Sequence, residues 1–81
     1  MELKGTGDLQ GAWAVFEALI AEHPEYAAAY SPAGDTLVAL GRSDEARAVY
    51  RKGIELCARK GDAHLRANLE DALAGVDESN P

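Results

Sequence analysis

Residues 27–60 read AAAYSPAGDTLVALGRSDEARAVYRKGIELCARK. Tyr30, Ala33, Leu37 and Leu40 recur at three- and four-residue spacing. After Gly41, Ala46, Val49, Tyr50, Gly53, Ile54 and Cys57 recur in the same way. That spacing puts each set on one face of a helix. A turn as short as Gly41-Arg42-Ser43 lets two helices pack only antiparallel. Ser43 or Asp44 is the expected N-cap of the later helix, Arg59 and Lys60 suit its C-terminus, and Gly61 suits the position just beyond. The earlier helix is expected over 25–40, from about Tyr26, with a kink or loosened turn at Ser31-Pro32. Proline there has no N–H to give and its ring crowds the carbonyl of Ala28. The dipeptide alone would favour a later start, with Ser31 as N-cap and Pro32 at the first helical position.

Outward from this stretch the pattern continues in both directions. Upstream, Asp8 is placed to cap a helix carrying Ala12, Trp13, Val15, Phe16, Leu19 and Ile20, which ends near His23 before Pro24. Downstream, Asp62 is placed to cap a fourth helix with Leu65, Leu69, Ala72, Leu73 and Val76, weakened at its end by Gly75. Residues 1–7, with Gly5 and Gly7, and residues 77–81 read as tails. Sixteen alanines and nine leucines against eight Val, Ile or Thr favour helix over strand. The chain of 81 residues is one small domain, 1–81, whose folded surface is expected near about 4,700 Å². So thin a core does not enclose a large cofactor and a substrate together.

Charge and chemistry narrow the function classes. Fourteen acids against eight bases give a net charge of −6, which disfavours nucleic acid or an anionic membrane as main partner. No apolar run is long enough to span a bilayer, and the first residues do not read as a secretory signal. With a single thiol, this points to the cytoplasm. Cys57 forms no disulfide within the chain and reads as a buried, inert thiol. His23 and His64 stand 41 residues apart with no further ligand at metal spacing. No nucleophile–base arrangement or phosphate loop is apparent. The expectation is no enzyme and no cofactor or metal.

The first and third helices align without gaps at an offset of 34 residues: Ala12 on Ala46, Val15 on Val49, Phe16 on Tyr50 and Ile20 on Ile54. A helix-pair unit of that period stacks because each pair leaves an apolar face for the next to cover. Residues 27–60 resemble one complete tetratricopeptide repeat. Tyr30 resembles the family's aromatic at the start of helix A, Gly34 its small residue, Ala46 the small residue where helix B crosses, and Tyr50 the large residue beside it. Ala12, Phe16, Leu19 and Pro24 resemble the second half of a preceding repeat, over 8–23. Residues 62–76 resemble the solvating helix that follows a last repeat. Gly53 stands where the family pattern has Ala and is expected to loosen helix B. The resemblance implies an all-α, right-handed stack of antiparallel helical hairpins.

It also implies a non-catalytic protein–protein interaction module, a small adaptor or scaffold, with an unidentified protein or peptide as partner. The alternatives are a self-associating fragment of a longer repeat protein, or an accessory domain of an enzyme or ligand binder. The family's peptide ligands lie along the A helices, at positions matching Ala28, Ser31, Pro32, Asp35, Val38 and Ala39 here. None of these is basic and Asp35 repels a carboxylate, so the family's clamp for a chaperone's C-terminal tail is not carried over. Residues 41–61 carry net +3 between acidic flanks of −5 and −4. That strip, with Arg47 and Arg51, is a solvated face or a contact for an acidic segment. Trp13 is the largest anchor on the first helix. Either the chain end or the second helix covers it, or a partner does, a weak homodimer included. The candidate contact surface is therefore Trp13, Ala28, Ser31, Asp35, Val38, Arg47 and Arg51.

Overall fold

The computed structural model describes residues 8–79, and the two expected tails fall wholly or partly outside them. Four α-helices follow one another: α1 (Leu9–Glu22), α2 (Tyr30–Ala39), α3 (Ser43–Lys60) and α4 (Ala63–Ser79), with a short 3-10 turn at Ala27–Ala29 before α2. No strand occurs among the described residues. α3 is the centre of the stack. It packs on α2 along one side and on α4 along the other, while α1 packs mainly on α2.

The helix ends follow local chemistry. The Asp8 carboxylate accepts the Gly11 amide at 3.1 Å, and the Asp62 carboxylate accepts the Leu65 amide at 3.2 Å. Each thereby satisfies an amide that the first turn leaves without a partner. α1 stops one residue before His23, whose amide still reaches the Leu19 carbonyl at 2.8 Å. Gly41 and Gly61 both take positive φ, near +79° and +78°. Beyond α2, the Gly41 and Arg42 amides return to the carbonyls of Val38 and Leu37, each at 2.9 Å. This left-handed closure costs glycine nothing and turns the chain sharply into α3.

Three expectations are corrected. The second helix does not begin near Tyr26. A 3-10 turn over Ala27–Ala29 comes first and α2 starts at Tyr30, so Pro32 lies in the opening turn, where a missing N–H costs least. Ser31 is helical there, not a cap. Neither Ser43 nor Asp44 caps α3: Ser43 is its first residue, the cap position is Arg42, and no side chain bonds an amide there. Finally, the tail expected over 77–81 begins later: α4 continues past Val76 through Ser79.

The core is built from α2, α3 and α4. Tyr30, Ala33, Leu37, Ala46, Tyr50, Leu56, Cys57, Leu69 and Val76 are all buried. Leu56 belongs to it although its position falls off the stripe read from sequence. Gly34 and Tyr50 bring α2 and α3 close together: a Cβ on Gly34 would overlap the Tyr50 ring. Gly53, expected to loosen the helix, stands within an unbroken α3. It is buried, and a Cβ there would stand 2.8 Å from Tyr30 Cβ and 2.9 Å from Leu69 Cδ1. The bare backbone lets α2 and α4 close on α3 from either side, a gain that offsets the weak helix propensity of glycine.

Candidate functional site

Two grooves on the described surface stand out, and they share no lining residue. The first, of about 340 Å³, runs between α2 and α4 with α3 at its base, and is lined by Asp35, Val38, Tyr50, Ala72, Gly75 and Val76. Asp35 is exposed, yet its Oδ1 is held by the Tyr50 hydroxyl, which donates at 2.5 Å. Tyr50 itself is buried, with 1% of its surface exposed. Burial first, and then the bond to Asp35, push its phenol far above the usual tyrosine range. The proton therefore stays on Tyr50 at neutral pH and the hydroxyl acts as a fixed donor. The rest of the lining is apolar or bare: Val38 is exposed, and a Cβ on Gly75 would meet nothing within 4 Å.

The second groove, of about 350 Å³, lies between α1 and α3 and is lined by Trp13, Glu17, Ile20, Pro24, Tyr30, Ala48, Val49 and Lys52. Trp13 is half-buried here. The Arg42 guanidinium stacks 5.6 Å from its ring centroid and grips Glu45 with two bonds, at 2.5 and 2.8 Å. That pair holds the Glu45 carboxyl below its usual range. Cover for Trp13 thus comes in part from the start of α3, which neither alternative foresaw. The Tyr30 hydroxyl closes the floor by donating to the Pro24 carbonyl at 2.7 Å.

Of the seven candidate contact residues, Asp35 and Val38 come together in the first groove and Trp13 stands in the second. Ala28 is exposed in the 3-10 turn and Ser31 is half-buried at the start of α2, and neither lines a groove. Arg47 pairs with Asp44 and Arg51 is exposed on α3, also outside both grooves. Elsewhere in the basic strip, Lys52 lines the second groove and Lys60 donates to the Glu25 carbonyl. Sequence reasoning missed Tyr50, read only as core, and the wall of Ala72, Gly75 and Val76. The phenol oxygen was the available signal, since a buried tyrosine needs a polar partner for its hydroxyl.

Cys57 is buried, with 1% of its surface exposed, and burial raises its thiol above the usual range. Among the described residues no group of three or more His, Cys, Asp or Glu is placed to hold a metal ion, and no helix is long and apolar enough to cross a membrane.

The tetratricopeptide repeat family model matches residues 3–69, most of the chain. The chain belongs to the tetratricopeptide repeat family. The four helices of the described residues are accordingly an all-α helical repeat, of a family whose members are generally protein–protein interaction modules and typically non-catalytic. Neither the curated proteins nor the solved structures give a match.

Proposed function

We propose that this tetratricopeptide repeat chain is a non-catalytic adaptor that docks a peptide segment of a partner protein in the groove between α2 and α4. The carrying observation is the position of Asp35 and Val38. They lie on the repeat's A helix, at places where the family resemblance puts ligand contacts, and they line an open groove. In this reading residues 27–60 are the complete repeat, 8–23 the second half of another, and α4 the cap. Val38 is exposed and apolar at the groove wall, so Val38→Gln changes the surface without opening the core. Affinity capture with the wild type and with Val38→Gln, compared by mass spectrometry, tests the proposal. Proteins retained by the wild type and lost with the variant support it, and identical retained sets reject it.

A second reading, self-association through α1, is favoured by one observation. α1 buries no residue completely, and Val15 is 65% exposed. Sedimentation equilibrium over a range of concentrations tests it, and a single species at monomer mass rejects it.

A further inference from the structure

The groove between α2 and α4 has a polarity that selects its occupant. Asp35 is the one charged residue among the six that line it, and none is basic. Its carboxylate is not free to swing away, because the buried Tyr50 hydroxyl holds Oδ1 at 2.5 Å. A neutral donor fixes that carboxylate without cancelling its charge. Asp71, exposed one turn before Gly75 on α4, adds a second negative charge toward the same row of the helix. Around them stand Val38, Ala72, Gly75 and Val76, which offer contact but no hydrogen bond from a side chain. The whole chain carries −6, so its field also favours the approach of a positive segment.

We infer that the groove takes a peptide segment carrying a lysine or arginine beside an apolar residue, the cation meeting the Asp35 carboxylate and the apolar neighbour lying against Val38 and Val76. The inference rests on the reading of this groove as the docking site. An arginine fork or a lysine ammonium reaches a carboxylate whose position is already set, so little ordering is required on the protein side. The apolar neighbour covers Val38 and excludes water from one flank of the ion pair, which weakens its screening. A volume of about 340 Å³ suits a short segment rather than a whole helix. An acidic segment in the same place would face Asp35 with a like charge.

The test uses the full chain, labelled with ¹⁵N, and three capped pentapeptides: Gly-Leu-Arg-Val-Gly and its counterparts with Gln or Glu in place of Arg. Titration followed by amide shifts reports both site and affinity. The arginine peptide is expected to shift the amides of Asp35, Val38, Ala72, Gly75 and Val76, and to bind about five- to tenfold tighter than the glutamate peptide at low salt. Asp35→Asn keeps an acceptor for Tyr50 and so keeps the fold, which the thermal midpoint verifies. In that variant the preference is expected to fall to about twofold or less, as the cation loses its partner. Equal binding of all three peptides in this groove overturns the cation assignment and leaves the docking reading standing. An arginine preference that survives Asp35→Asn also overturns it. If no peptide shifts these amides while others respond, the docking reading falls as well.

Discussion

α1 and α3 carry nearly the same apolar pattern one repeat apart, yet they meet different fates. α3 buries Ala46, Tyr50, Gly53, Leu56 and Cys57, while α1 buries none of its residues. Phe16 stands where Tyr50 stands in the next unit, and it is only half-buried. The difference lies in the neighbours. α3 has a helix on each side, whereas α1 packs mainly on α2. The pattern of a repeat thus prepares a face for burial, and the stack decides whether burial happens. The opposite end resolves the same problem with charge. α4 turns Leu69 and Val76 inward and carries the exposed Arg66–Glu70 pair, 3.1 Å apart, on its outer side.

The sharpest way to break this comparison is to truncate both aromatics. Tyr50→Ala removes a fully buried ring and is expected to cost about 3–5 kcal/mol, against about 1 kcal/mol for Phe16→Ala. Chemical denaturation of each variant measures both. Equal losses would show that α1 is as deeply packed as α3, and the contrast would fail.

The helices and their order were legible in the sequence because caps, glycines and apolar spacing act locally. Asp8, Asp62, Gly41 and Gly61 each do in the fold what their chemistry suggests. What was not legible depends on contacts between helices. Gly53 looked like a weak point along one helix and proves to be the place where Tyr30 and Leu69 close in. Pro32 looked like a break inside a helix, but the 3-10 turn before Tyr30 moves it into the first turn. Of the residues lining the candidate groove, repeat position singles out Asp35 and Val38. Tyr50 is not among them, since spacing reports which face a ring occupies and not where its hydroxyl ends.

Two glycines sharpen the comparison between the middle of the stack and its capped end. Gly34→Leu forces a side chain into the Tyr50 ring and is expected to destabilise by about 1–3 kcal/mol. Gly75→Ala adds a methyl group to open space inside α4, and is expected to stabilise by about 0.5–1 kcal/mol through helix propensity. Denaturation midpoints with unchanged slopes verify both. A neutral Gly34→Leu would mean that α2 and α3 do not approach closely.

The Tyr50–Phe16 pair also predicts a pH effect, because only one of them carries a hydroxyl. The phenol of Tyr50 is raised in the folded chain, so folded and unfolded states are both protonated below about pH 10 and the group adds no pH slope there. Above that pH the unfolded tyrosine ionises while the folded one holds its proton, so stability falls as pH rises. Tyr50→Phe is expected to flatten that fall in part, since Tyr30 and Cys57 are raised as well and keep their share. Urea midpoints at about pH 8 and about pH 10.5 measure the difference. An unchanged slope in Tyr50→Phe would detach the hydroxyl from its buried setting.

The smallest expected effect lies at the open end. Val15 and Val49 are equivalent in the repeat, but Val15 is 65% exposed whereas Val49 is half-buried against the core. Val15→Lys is expected to change stability by no more than about 0.5 kcal/mol, and Val49→Lys by more, because its lysine must lift off Trp13 and Ile20 across the second groove. Both variants are measured at low protein concentration and again at high concentration. A monomer gives the same small Val15→Lys effect at each. If the cost of Val15→Lys grows with concentration while that of Val49→Lys does not, a second copy covers α1. The repeat pattern on α1 would then be buried in the assembly as its counterpart on α3 is buried in the chain.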